Sequence, residues 1–264
     1  MLNLVLGVVG DTSLHKEWLS GDTHDYDLFL VYYGDLGDRY RRDAMYYDFA
    51  KGTKFLIVDQ IFNKHRDLFD RYDAVLIPDD DICMTARDIN RFFDIFHRYK
   101  LQVAQPAIIG WQSLPITAPS FGTILRYVRC VEIMTPCFSR EALVRCQPSF
   151  TENKTNWGID WLWWKMLGEP RDKVAVVDDV VAIHTRPCFF GDTYWRNSNN
   201  HQICTEEMAA LFKKHAIEDS YEVFGSVPRD MREWNDRPSE QKIFPQCETL
   251  RRLVPTLFDS VIAL

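Results

Sequence analysis

The chain has 264 residues, 46% of them hydrophobic, 14% aromatic and 26% charged, and its 31 Lys and Arg against 38 Asp and Glu leave a net charge of −7. That composition excludes disordered, collagen-like and coiled-coil chains, and a chain of this mass buries roughly 70–75% of its extended surface without needing a disulfide or structural zinc. Its basic residues are scattered rather than gathered into an arm, which argues against nucleic acid as a partner.

In chain order, the first hundred residues alternate short β-branched runs with amphipathic stretches, the pattern of βαβ units in a mostly parallel sheet covered by helices on both faces. Four strands are expected at 4–9, 27–33, 54–58 and 74–77. They end in Gly10-Asp11, Gly34-Asp35, Asp59 and Pro78-Asp79-Asp80-Asp81, so carboxylates collect where open α/β sheets bind their ligands. Residues 85–99 read as a helix, with Ile89, Phe92, Phe93 and Phe96 at helical spacing. Residues 110–122 read as a loop and 129–134 as a strand, followed by a helix capped by Ser139 and running to Cys146. A further helix is expected at 156–167, and 174–183 reads as a strand pair broken by Asp178-Asp179. Residues 187–204 read as a mobile loop, and a helix follows to about His215.

The organisation expected is a catalytic domain over 1–204 and a helical or irregular extension over 205–264 that packs on it. The apolar and basic segment 250–264 could alternatively make a homodimer contact or touch a membrane surface. Seven cysteines, an odd number without a C-x-x-C pair, fit reduced thiols buried in a cytoplasmic protein. No signal peptide is recognisable, and no stretch reaches the roughly 18 apolar residues of a membrane helix.

Three consecutive carboxylates after a buried strand repel one another and call for a compensating cation. In an extended segment Asp79 and Asp81 project to one side and Asp80 to the other, so the outer pair can share a hard divalent ion with ligand phosphates; a solvated acidic turn is the plainer alternative. Asp160 lies in Trp157-Gly158-Ile159-Asp160-Trp161-Leu162-Trp163-Trp164, a segment apolar on nearly every side. A carboxylate there is a candidate base or ligand-binding group, unless backbone amides or a lysine satisfy it. His184 closes an apolar run and can ligate a metal through one ring nitrogen, although a structural role fits it too. Glu132, inside Val131-Glu132-Ile133-Met134, is either an acceptor contact or a structural ion-pair partner. The chain has no dinucleotide fingerprint, P-loop, nucleophile elbow or zincin motif.

Taken together, Asp79-Asp80-Asp81, the block Val131-Glu132-Ile133-Met134-Thr135-Pro136-Cys137-Phe138-Ser139-Arg140, Trp157-Gly158-Ile159-Asp160 and the stretch from Val177-Asp178 to His184 resemble a known family. It is a glycosyltransferase-like family of plant and bacterial proteins with a GT-A-type fold, long catalogued as a domain of unknown function. The resemblance covers roughly residues 1–190, and this chain has Asp-Asp-Asp where members tend to carry Asp-Glu-Asp.

The resemblance implies a GT-A-like nucleotide-diphospho-sugar transferase that moves sugar to a glycan or glycoconjugate, with surface-polysaccharide synthesis as a suggested setting. Asp79 would hold donor sugar or ribose and join Asp81 and His184 as a ligand of Mn²⁺ or Mg²⁺. Asp160 would be the base, with Glu132 the second catalytic candidate through contact with the acceptor hydroxyl, while Asp80, Asp11, Asp35 and Lys64 would contact the nucleotide-sugar donor. Trp111, Tyr194 and Trp195 are candidate acceptor contacts. The alternatives are a metal-dependent phosphohydrolase with Asp79 as nucleophile, or a non-catalytic nucleotide- or glycan-binding module.

Overall fold

The computed structural model describes residues 1–111, 114–187 and 201–230. Ten strands form one mixed sheet: β1 (Asn3–Val9), β2 (Asp27–Tyr32), β3 (Tyr46–Phe49), β4 (Ala74–Leu76), β5 (Ile82–Cys83), β6 (Val103–Gly110), β7 (Thr123–Val128), β8 (Cys137–Ser139), β9 (Val174–His184) and β10 (Val223–Pro228). Their order is β10-β7-β9-β6-β8-β4-β1-β2-β3, with β5 paired to the end of β9. β4, β1, β2 and β3 run parallel, as do β6 and β9, whereas β8 is antiparallel to both β4 and β6. Beyond β9 the sheet continues antiparallel through β7 to β10, so residues 223–228 belong to the same sheet as residue 4.

The six described α-helices are α1 (Lys54–Lys64), α2 (Arg66–Phe69), α3 (Ala86–Arg98), α4 (Arg140–Cys146), α5 (Asp160–Met166) and α6 (His201–His215). Alternation along each strand feeds two cores. Leu4, Leu6 and Val8 of β1 join Phe55, Ile61 and Trp163 on one face, while Val5 and Val9 join Trp18, Phe92 and Phe96 on the other. Helix α3 starts at a full capping box, in which Thr85 and Asp88 exchange side-chain and backbone hydrogen bonds. Ser139 caps α4 by accepting from the Ala142 amide.

Four sequence expectations change, the first being the helix expected at 156–167, which is confined to Asp160–Met166. Residues 54–58 are not a strand but the start of α1, because Phe55, Val58, Ile61 and Phe62 recur at helical spacing and all are buried. Asp59 is therefore inside a helix, and the third parallel strand is β3. Residues 129–134 are not a strand either; the strand lies just before them, as β7. The region 174–183 is one continuous strand. Its register jumps from Pro106↔Val177 to Ala107↔Val181, which accommodates Asp178-Asp179-Val180 as a bulge opposite a proline that has no N–H for the ladder. Residues 188–200 and 231–264, including Tyr194, Trp195, Cys188, Cys247 and the segment 250–264, lie outside the described residues. Cys83, Cys130, Cys137, Cys146 and Cys204 are all buried. Among the described residues no helix is long and apolar enough to cross a membrane.

Candidate active site

The acidic block lies where three segments meet at the carboxyl ends of the parallel strands. Asp79 forms a parallel bridge with Val8 as β4 runs out, and its amide donates to the Met134 carbonyl at 2.7 Å. Three residues on, β5 pairs with β9 in the register Ile82↔His184, which places Asp81 beside the imidazole. Asp80 turns away, accepting from the Gly10 amide at 2.7 Å and the Tyr33 hydroxyl at 3.1 Å. Asp79, Asp81 and His184 each present a ligand atom within 4.8 Å of the other two.

These residues fit a divalent cation on two counts. Asp81 Oδ1 is buried and has no hydrogen-bond partner, an acceptor left open beside a histidine. His184 Nδ1 is hydrogen-bonded to the Trp111 carbonyl, which holds the N–H there and turns Nε2 toward Asp81 Oδ2 at 3.3 Å. Burial opposes a charge on this ring, but Asp81 outweighs it and lifts the pKa to about 9. Against the expectation from sequence, protein cations already accompany the three carboxylates. Lys54 meets Asp79 at 2.7 Å, and Arg186 bonds Asp80 and reaches Asp81 at 3.1 Å. Even so, burial and the neighbouring carboxylates outweigh Arg186 at Asp80 and push its pKa up to about 6.

These groups line one cavity of about 350 Å³ together with Asp160, Asn156, Trp157, Trp161, Tyr221 and Asp219. Asp160 opens α5 directly after Asn156 and Gly158, whose positive φ angles of 65° and 83° prevent the helix from starting earlier. A Cβ on Gly158 would stand 2.8 Å from Met208, so glycine there lets α6 close over this wall of the cavity. The Asp160 carboxylate accepts from the Ile133 amide at 3.2 Å and the Trp161 amide at 3.1 Å. Burial, and then the Glu132 charge, raise its pKa to about 7.

Glu132 is buried and lines the cavity too, but its carboxylate accepts from the Leu114 amide at 2.6 Å and the Thr117 hydroxyl at 3.3 Å, holding the 114–117 turn in place. Asp11, Asp35 and Lys64 do not line this cavity. Asp11 accepts from Tyr32, Asp35 pairs with Lys51 at 2.6 Å, and Lys64 pairs with Asp48 at 2.7 Å. Lys64 sits ten helical residues beyond Lys54, roughly 15 Å along the axis. Trp111 is exposed and lends the site its carbonyl rather than its ring.

Lys54, Arg186, Tyr33 and Asn156 were not anticipated. Arg186 had a readable signal, since it stands two residues after His184 and so on the same side of an extended segment.

No family profile matches the sequence, and no curated protein does. Among solved structures, glucosyl-3-phosphoglycerate synthase (GpgS) from Mycobacterium tuberculosis, in complex with Mn²⁺, UDP-glucose and phosphoglyceric acid, is 13% identical. The alignment covers 88% of this chain and 91% of that one, with a TM-score of 0.51. The fold is that of the GT-A nucleotide-diphospho-sugar transferases. The GT-A-like chain also aligns over 99% of its length with TarS of S. aureus, at 10% identity and a TM-score of 0.47, and spans half the length of that protein.

Proposed function

We propose that the protein is a metal-dependent glycosyltransferase that moves sugar from a nucleotide-sugar donor to a glycan or glycoconjugate hydroxyl. The observation that carries this reading is the convergence of Asp79, Asp81 and His184 in the same cavity as a buried carboxyl, Asp160, in a GT-A fold. GpgS, which shares the fold, is described with Mn²⁺ and UDP-glucose.

In this reading Asp79, Asp81 and His184 hold Mn²⁺ or Mg²⁺, which when bound supplies Lewis-acid stabilisation of the departing nucleoside diphosphate. Arg186 and Lys54 add positive charge at the same end of the cavity. Asp160 accepts the proton of the acceptor hydroxyl as the new bond to the anomeric carbon forms and the bond from that carbon to the donor phosphate breaks. A pKa near 7 suits that task, because the group is ionised in about half the molecules at neutral pH while still basic enough to take the proton. Glu132 acts on Asp160 through its charge, and the backbone bonds it makes keep it in place.

Asp81→Asn removes the charge of the carboxylate that faces His184 while preserving its shape. The expected result is a folded protein that no longer binds a nucleoside diphosphate in a Mn²⁺-dependent way by calorimetry and no longer consumes a UDP- or GDP-sugar. Full retention of both by the variant would falsify the assignment.

A further inference from the structure

We propose that the end of the cavity remote from the acidic block is an acceptor subsite for an uncharged glycoside, built so that sugars carrying a carboxylate or phosphate are rejected. The role of that glycoside as acceptor rests on the transferase reading; the chemistry of the subsite does not.

The wall of this end is aromatic. Trp161 and Tyr221 stand with ring centroids 5.5 Å apart, and Phe212 supports Trp161 from 5.6 Å. Tyr221 is half exposed and Trp157 partly exposed, so ring surface faces the open volume. Flat, polarisable ring faces of this kind suit the C–H face of a pyranose, whose hydroxyls point outward to hydrogen-bonding groups. Those groups are present. Asn156 is only 2% exposed, lines the cavity, and accepts at Oδ1 from the Phe55 amide at 2.9 Å, while its Nδ2 is buried without a partner. A buried amide donor without a partner costs free energy, and a neutral hydroxyl oxygen satisfies it.

The charges at this end are all of one sign. Asp160, Glu132 and Asp219 line it, close enough together that their charges add to burial in raising the Tyr221 phenol pKa. Lys54, His184 and Arg186 are the cationic side chains among the described lining residues, and each is engaged by Asp79, Asp80 or Asp81. The Lys54 ammonium also donates to the Ile133 and Met134 carbonyls at 2.6 and 3.0 Å. A hydroxyl can donate to carboxylates directly, whereas an anionic substituent would meet repulsion in a partly desolvated site with no free cation among the described lining residues.

Saturation-transfer NMR on the full chain tests this with methyl glycosides of glucose, galactose, mannose and N-acetylglucosamine, alongside methyl glucuronide and glucose 6-phosphate. At least one neutral glycoside should bind, with both anions at least tenfold weaker. Trp157→Ala should weaken the neutral ligand by tenfold or more. Asp219→Lys, at an exposed position, should narrow the gap between neutral and anionic ligands severalfold. Binding of the anions as tightly as their neutral counterparts, no binding by any neutral glycoside, or an unchanged ratio in the Asp219 variant would each overturn the proposal. A parallel assay of nucleotide-sugar consumption separates the two readings. Selective glycoside binding with no donor consumed under any metal removes the transferase reading and leaves the subsite; donor consumed onto anionic acceptors as readily as neutral ones does the reverse.

Discussion

Asp160 carries opposite consequences for stability and for the proposed chemistry. Its pKa rises from 3.8 to about 7 on folding, chiefly because burial disfavours the charged form. The folded chain therefore keeps a proton that the unfolded chain has already lost. This carboxyl's contribution to stability is complete below pH about 4, falls by about 1.4 kcal/mol for each pH unit as the pH rises toward about 7, and is gone above it. Transfer needs the ionised form, so kcat/KM should rise over the upper part of the same interval. Urea unfolding at pH 5 and pH 8 should show the wild type losing a few kcal/mol relative to Asp160→Asn, and the variant should lack the acidic limb near pH 7. Glu132→Gln removes the neighbouring charge while its amide oxygen can still accept from Leu114, so the limb should move to lower pH. A limb that stays in place in that variant would show that Glu132 does not tune Asp160.

At the scale of elements, the bulge in β9 keeps the strand in step with β6 while bringing His184 to the cavity, and it is held by buried ions. Asp178 accepts from Thr123 and from Arg126, and Asp179 meets Arg91 at 2.7 Å and Arg229 at 3.0 Å. Helix α3, β10 and β7 are thereby all tied to the bulge. Asp179 is almost fully buried, as is Arg229, whereas Arg91 is one-third exposed. Asp179→Ala would leave the buried Arg229 guanidinium without its carboxylate, with backbone carbonyls of Thr123 and Asp178 still accepting from it, and should cost about 3 kcal/mol in denaturant unfolding. Arg91→Ala leaves Asp179 its second partner and should cost markedly less; equal losses from the two changes would contradict the clamp.

The same elements explain how far the sequence could be read. β1, β2, β4, α3 and α4 are legible because apolar runs, acidic strand ends and the Thr85 and Ser139 caps are all local signals. Helix α1 is not, because Phe55-Leu56-Ile57-Val58 carries strand propensity, and only the continuation through Ile61 and Phe62 shows the helical period. β3 and β7 are missed because an edge strand and a strand beside a loop expose much of their surface and show no continuous apolar run. The meeting of Asp79, Asp81 and His184 follows from the pairing of β5 with β9. That is a long-range register, and no window of sequence contains it.

For the whole molecule, the net charge of −7 is less informative than its arrangement. At the acidic block Lys54 and Arg186 already face the carboxylates, so a nucleoside diphosphate arriving alone meets cations that are engaged and an open Asp81 oxygen that repels it. With a divalent ion on that oxygen and on His184 the local balance reverses, and the two ligands should bind with positive coupling. Ligands that bind only the native state would show this coupling as stability of the entire fold. UDP without metal should move Tm very little. Mn²⁺ with UDP at a hundredfold excess over Kd should add about 2.7 kcal/mol, or roughly 5–10 °C for a chain of this size. The shift should exceed the sum of those from each ligand alone, vanish on chelation, and be lost in Asp81→Asn. Additive shifts, or an equal response to UDP with and without Mn²⁺, would mean that Arg186 and Lys54 bind the diphosphate without help from a metal.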